Sequence, residues 1–137
     1  MADNRKIREL ALQVLFLWDA HCLKDDDAAK QVTHDGCDDP ITRQRAFDLA
    51  SAAWEHRELA DQRVEKLAPH WPPRRQPSVD RNLFRMAVYE LTHTPTPPKV
   101  VIDEAIELAK SFSTEQSPSF INAILDAVHK EQITTDK

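Results

Sequence analysis

The sequence predicts an all-helical fold, and three observations carry that prediction. Only one glycine, Gly36, occurs among 137 residues, whereas tight β-hairpins usually need glycine in their turns. Apolar residues recur every three to four positions over most of the chain, which is the spacing of a helix buried on one face. Capping residues and prolines separate these periodic segments, as at Asp39-Pro40 and Ser117-Pro118. Together these features favour helices joined by short connections.

The first predicted helix starts at Asp3 or Asn4, either of which can cap it. Its apolar face consists of Ile7, Leu10, Ala11, Val14, Leu15 and Trp18. Its first turn carries three cations, Arg5, Lys6 and Arg8. Positive charge there opposes the helix dipole at a cost of a few tenths to about 1 kcal/mol. The cluster is either a solvated helix start or, with the backbone N–H groups, a place for phosphate.

The next segment, residues 24–39, is acidic and loop-like, with six aspartates and two lysines. It is predicted to hold at most a short helix over Asp27–Val32. Asp39 and Pro40 then read as the cap and first residue of a longer helix. A further helix is predicted over about 56–68, ending before a proline.

A proline-rich connector, residues 69–77, follows and contains Trp71, Arg74 and Arg75. Arginines beside a tryptophan suit single-stranded RNA, through phosphate contacts and base stacking. The alternative is a surface linker whose tryptophan folds back onto the core.

Three more helices are predicted in the C-terminal part of the chain. Ser78 is the expected cap of the first, and Pro95, Pro97 and Pro98 end it and start the second. Ser117 is the expected cap of the last, which becomes polar and is expected to fray from Lys130 onward. The apolar faces of the three helices are Val79, Leu83, Met86, Ala87 and Leu91; Val101, Ala105, Leu108, Ala109 and Phe112; and Ile121, Ile124, Leu125 and Val128.

Composition indicates one globular domain, residues 1–137, with 41% hydrophobic and 30% charged residues. No apolar run approaches the roughly 20 residues that cross a bilayer, and the N-terminus lacks a signal-peptide pattern. Two cysteines do not make a disulfide framework in a chain of this length. The expected location is therefore the cytoplasm.

No catalytic residue, cofactor or metal ligand is assigned. A single glycine excludes the glycine-rich loops that hold nucleotides and the G-x-S-x-G nucleophile turn. The spacing of one group of His and Cys residues is not that of a known zinc site, and the paired carboxylates of the penultimate helix lack any sign of burial or of a partner that would shift a pKa. These groups are His21, Cys22, His34 and Cys37, and Asp103, Glu104 and Glu107.

Two stretches of sequence point to a family. One is the C-terminal run from Asp80 to Asp126, which reads DRNLFRMAVYEL, a proline break, and KVVIDEAIELAKSFSTEQSPSFINAILD; the other is RKIRELALQVLF in the first helix. In this order they resemble the NusB transcription antitermination family over nearly the full length, most strongly at Val101–Asp126.

The resemblance implies an all-α fold of roughly seven helices in two packed bundles. It implies binding of the boxA-type segment of ribosomal RNA leaders together with the ribosomal protein NusE, within an RNA polymerase antitermination complex that promotes ribosomal RNA transcription. Asp80 and Phe84 are the implied contacts for NusE. The implied RNA-binding residues are Arg5, Lys6, Arg8, Phe16, Trp71, Gln116 and Phe120.

Alternatives remain at this stage, because the net charge is −5 and the basic cluster is small. One is a protein-interaction module of the same fold without sequence-specific RNA binding. Another is a stand-alone relative of the RNA-binding domain of ribosomal RNA cytosine methyltransferases. An independent enzyme is the weakest of these hypotheses. Whether the chain forms a homodimer is left open.

Overall fold

The computed structural model describes residues 3–135, and within that range the chain forms helices and no strand. This confirms the predicted all-helical fold. The helices are α1 (Asn4–His21), α2 (Asp26–Gly36), α3 (Pro40–Glu55), α4 (Arg57–Leu67), α5 (Ser78–His93), α6 (Pro98–Phe112) and α7 (Ser117–Thr135), with a short 3-10 turn at Pro73–Arg75 between α4 and α5.

The helices group into two compact units, with the boundary after Glu55. In the first unit, α1 packs against α2 and α3. In the second unit, α5 contacts α4, α6 and α7. None of the helices in the described range is long and apolar enough to span a membrane.

The first unit is built around α1, whose start is capped as predicted. The Asp3 carboxylate accepts hydrogen bonds from the backbone N–H groups of Arg5 (3.0 Å) and Lys6 (3.3 Å). Trp18 is fully buried, and its Nε1–H donates to the carbonyl of Asp25 at 2.8 Å. This bond ties the end of α1 to the residue that caps α2.

The helix α2 is longer than predicted, since the sequence favoured only Asp27–Val32. Negative charge in the first turn of a helix stabilises it through the dipole, so the acidic residues there favour α2 over a loop. Asp25 also caps α2, by accepting from the N–H of Ala28 at 3.1 Å.

The predicted start of α3 is confirmed. There Asp39 accepts from the hydroxyl and the N–H of Thr42. Donation from the Thr42 hydroxyl is the main cause of a lowered pKa at Asp39.

The only glycine marks a close approach between α2 and α1. Gly36 does not have a positive φ, so its backbone does not require glycine. A β-carbon at this position would instead collide with Cδ2 of Leu10, whose side chain is fully buried. Absence of a side chain therefore lets the end of α2 lie against the core.

We expect Gly36→Ala to lower the free energy of unfolding by about 1–2 kcal/mol. Alanine favours a helix by up to about 1 kcal/mol over glycine, but overpacking a filled core costs about 1–3 kcal/mol. Urea denaturation followed by circular dichroism measures the change. The exposed Lys30→Ala on the same helix is the control. A stabilised Gly36→Ala protein would show that Leu10 moves aside without cost.

In the second unit, the start of α5 and both ends of α7 differ from prediction. Ser78 is the first residue of α5 rather than its cap, and its carbonyl and hydroxyl oxygens accept from the side-chain amide of Asn82 at 2.9 and 3.3 Å. Ser117 is likewise the first residue of α7, and its hydroxyl is bonded to a tertiary partner, Asp80. The same helix continues to Thr135, past the predicted polar end.

Candidate nucleic-acid interface

A cavity of about 310 Å³ opens on the second unit and brings together four of the predicted site residues. Trp71 comes from the proline-rich connector, Asp80 from the first turn of α5, Gln116 from the turn just before α7, and Phe120 from the first turn of α7. The remaining lining residues are Pro77, Thr114 and Ser117. The cavity thus joins segments that are far apart in sequence.

Two aromatic side chains border this cavity. Trp71 is 43% exposed, so its ring does not fold fully back onto the core. Its backbone is held on both sides: its N–H donates to the carbonyl of Ala68 at 3.0 Å, and its own carbonyl accepts from the buried amide of Gln76 at 3.0 Å. A fixed backbone under a partly exposed indole ring presents a stacking surface at small entropic cost.

The second aromatic side chain, Phe120, is half-buried on α7. Its ring meets the ring of Phe84 edge to face, with centroids 5.5 Å apart and planes at 90°. Such a contact fixes the orientation of the outer ring. Phe84 itself is buried. It therefore supports Phe120 from behind, and its predicted contact with NusE stays a prediction.

The polar wall of the cavity is centred on Asp80, whose side chain is 2% exposed. One carboxylate oxygen accepts from the hydroxyl of Ser113 at 2.6 Å, and the other accepts from the hydroxyl of Ser117 at 2.8 Å. Both oxygens of this carboxylate are therefore bonded within the protein. The NusE contact at Asp80 stays a prediction.

The connector that carries Trp71 also carries two exposed arginines. Arg74 lies 3.3 Å from Glu65 of α4, in an ion pair that is largely solvent-exposed. Arg75 is exposed on the same 3-10 turn. Exposed pairs of this kind contribute little to stability, so the contact with Glu65 holds Arg74 only weakly. Neither arginine is among the predicted site residues.

In the first unit, α1 places Arg5 and Phe16 on one face. They are eleven positions apart, which corresponds to about 20° around the helix and about 17 Å along it. Phe16 is 46% exposed, and Lys6 lies 4.0 Å from Glu9. Arg8 is only 7% exposed. Its predicted role as a surface phosphate contact is therefore not supported by its position.

The capping geometry also alters the predicted phosphate site at the start of α1. The carboxylate of Asp3 already accepts from the first N–H groups of the helix. The N–H groups of Arg5 and Lys6 therefore already have an acceptor within the chain. Any anion bound there would depend on the side chains of Arg5 and Lys6.

The possible metal ligands and the paired carboxylates of α6 are not among the residues that line the cavity. Among residues 3–135, no group of three or more His, Cys, Asp and Glu is arranged to hold a metal ion. The Cys37 sulfur accepts from the backbone N–H of Asp39 at 3.4 Å, next to the start of α3. On α6, Glu107 forms an exposed pair with Lys110 at 3.3 Å. Both contacts join residues that are two or three positions apart.

Comparison with known proteins identifies the family. The sequence profile of the NusB family matches residues 5–130. The transcription antitermination protein NusB of Solibacter usitatus is 44% identical over 133 residues, covering 96% of this chain and 91% of that protein. The solved structure of T. maritima NusB superimposes with a TM-score of 0.80 at 32% identity, covering 96% of this chain and 94% of the other.

A solved complex of antitermination factors NusB and NusE with double-stranded RNA contains a chain that is 27% identical, with a TM-score of 0.82. That match covers 93% of this chain and 96% of the other. Sequence profile, curated relatives and solved structures agree over almost the whole length. The chain therefore belongs to the NusB family of transcription antitermination proteins.

Proposed function

We propose that this protein acts in transcription antitermination by binding boxA-type RNA together with the ribosomal protein NusE, and so promotes ribosomal RNA transcription. One observation carries the proposal furthest. Two aromatic residues, Trp71 and Phe120, border one cavity with the amide of Gln116, in a family with a solved NusB–NusE–RNA complex. The protein contributes shape, stacking and charge, and no catalytic step is involved.

The cavity has the chemistry that unpaired bases require. Bases that leave a helix stack on aromatic rings, and their edges then hydrogen-bond to nearby polar groups. Trp71 and Phe120 offer the rings, and the exposed amide of Gln116 offers both a donor and an acceptor. Because that amide is neutral, it does not repel a neighbouring phosphate.

Phosphate contacts are proposed for the exposed face of α1. Arg5 and Lys6 supply two positive charges there, and Phe16 extends the same side of the helix with an apolar ring. The net charge of −5 does not favour a general attraction to nucleic acid. The affinity would therefore depend on a few local contacts and on surface that NusE supplies.

Removing the exposed Arg5 and the partly exposed Lys6 at the start of α1 should weaken binding to all RNAs alike. For single-stranded RNA each phosphate contact contributes about 0.7 to the slope of log K against log salt. We therefore expect Arg5→Ala/Lys6→Ala to flatten that slope by about 1.4. Titrations at several salt concentrations measure it. The control variant, Arg45→Ala/Lys66→Ala, removes the same charge from exposed positions elsewhere on the protein. If both double variants changed the slope equally, α1 would not be part of the RNA-binding site.

The decisive experiment titrates boxA-type RNA and a scrambled RNA of the same composition, with and without NusE. The proposal expects tighter binding of the boxA-type RNA and a further gain when NusE is present. Equal affinity for both RNAs under both conditions would contradict sequence-specific binding. Binding of NusE with no measurable RNA binding would favour the protein-interaction module instead.

The compartment follows from the proposed activity, because an antitermination factor must meet RNA polymerase and nascent RNA. In bacteria such as the relatives named above, that compartment is the cytoplasm. Sedimentation of the free protein would test whether it forms a homodimer, which the proposal does not require.

A further inference from the structure

We propose that Asp80 is a positioning residue of the RNA site. Its buried carboxylate holds both ends of the turn between α6 and α7 through Ser113 and Ser117, a group referred to below as the Asp80 clamp. The clamp fixes where Phe120 lies in the cavity that it shares with Trp71. This inference rests on the proposed function, since the site that it orders is the proposed RNA site.

The clamp joins three helices at one point. Ser113 is the residue that ends α6, and Ser117 is the first residue of α7. Asp80 lies in the first turn of α5. The hydroxyls of Ser113 and Ser117 donate to its two different carboxylate oxygens, at 2.6 and 2.8 Å. One carboxylate therefore sets the distance between the end of α6 and the start of α7.

A second layer of contacts closes the clamp. The hydroxyl of Thr114 donates to that of Ser117 at 2.8 Å. The hydroxyls of Ser113 and Ser117 lie 2.9 Å apart in close contact, because each has given its one proton to Asp80. Ser117 is buried. In a buried network the hydroxyl rotors orient one another, and a carboxylate that is removed from water must keep its donors. The turn is thus held in one arrangement before any ligand arrives.

The clamp acts on RNA binding through the geometry of the turn. Gln116 lies within the clamped turn, and Phe120 lies one helical turn after Ser117. A shift at the start of α7 would move both side chains relative to Trp71, which belongs to a different segment. Stacking and hydrogen bonding to a base depend on such distances, whereas phosphate contacts made by α1 do not. The clamp should therefore govern discrimination between RNAs more than affinity for RNA in general.

The test removes the hydrogen bonds of the Asp80 clamp by separate substitutions. Asp80→Asn replaces one acceptor oxygen by a donor, and Ser113→Ala removes one hydroxyl without touching the carboxylate. Ser113→Thr restores the hydroxyl at a position with an extended backbone (φ −125°, ψ −162°), which β-branched residues accept readily. Asp103→Asn, on the exposed side of α6, removes the same charge as Asp80→Asn and serves as the control.

For Asp80→Asn we expect about tenfold weaker binding of boxA-type RNA, because small displacements in a preorganised site have large effects. Binding of scrambled RNA and the salt slope should stay within about twofold of the parent. Ser113→Ala should bind boxA-type RNA about fivefold more weakly, because it loses one hydrogen bond to a charged group. Ser113→Thr should recover that affinity. Asp103→Asn should bind as the parent does.

Hydrogen exchange of residues 111–120 supplies a readout that does not depend on RNA. Exchange there should speed up in Asp80→Asn and Ser113→Ala while exchange in α4 stays unchanged. Faster exchange with unaltered discrimination between RNAs would overturn the positioning role, and so would unaltered exchange. Loss of NusE binding with normal RNA binding would show that Asp80 acts at the protein interface instead.

If the parent does not distinguish the two RNAs, the proposed function fails, and hydrogen exchange alone then decides whether the clamp orders the turn. If Asp80→Asn does not fold, the comparison of Ser113→Ala with Ser113→Thr still tests whether the clamp positions the RNA site.

Discussion

Replacing Trp71 with alanine is expected to weaken binding of boxA-type RNA by about 1–3 kcal/mol, which is about 5- to 150-fold. The indole ring is partly exposed at the rim of the cavity, and its backbone is fixed by bonds to Ala68 and Gln76. Removing the ring therefore removes a stacking surface with little effect on the fold.

Fluorescence anisotropy with labelled RNA measures this loss. Trp71→Phe keeps a smaller aromatic face and should retain part of the affinity. Leu59→Ala removes an exposed apolar side chain from α4 of the same unit and should change nothing. An affinity of Trp71→Ala equal to that of the parent would place RNA elsewhere on the molecule.

A companion change, Phe120→Leu, tests whether both rings hold the same base. Leucine keeps apolar volume against the ring of Phe84 but has no aromatic face. If one base lies between the rings, the loss in the double variant Trp71→Ala/Phe120→Leu should differ from the sum of the two single losses. Additive losses would indicate two separate bases.

The caps show which parts of this fold could be predicted from sequence. Asp3 and Asp39 bond to N–H groups two or three residues away. Such bonds depend on local sequence alone, so both predictions are confirmed. Ser78 and Ser117 have the same residue type and the same proximity to proline, yet Ser117 bonds to Asp80, which is 37 positions away. No local pattern contains that contact.

The site shows the same division. Aromatic residues and basic residues could be named from the family resemblance. Their burial could not, because the exposure of a side chain depends on which helices pack around it. Arg8 and Asp80 are charged and were expected at the surface, but the structure buries both. The meeting of Trp71 with Phe120 at one cavity also required the fold.

A second large effect is expected from breaking the ion pair between α4 and α5. Asp61 accepts from Nε and Nη2 of Arg85 at 2.9 and 2.8 Å, and Nη1 of Arg85 donates to Asn82 at 3.2 Å. We expect Asp61→Asn to lower the free energy of unfolding by about 2–3 kcal/mol. Breaking fully buried pairs costs about 3–5 kcal/mol, and the side chain of Asp61 is 26% exposed, so the lower range applies.

Urea denaturation followed by circular dichroism measures this loss, and the same helix offers a matched control. Glu65→Gln removes one charge from the exposed pair with Arg74 and should change stability by less than about 1 kcal/mol. Similar losses in both variants would mean that burial does not distinguish the two pairs.

The double variant Asp61→Leu/Arg85→Met then separates charge from packing. The cost of Asp61→Asn arises because a guanidinium that is removed from water loses its anionic partner. Removing both charged groups eliminates that cost, and apolar side chains of similar size can fill the space. The double variant should therefore be more stable than Asp61→Asn and close to the parent. A double variant as unstable as Asp61→Asn would show that the geometry of the bidentate pair itself holds α4 against α5, since both charges of the pair would then be absent.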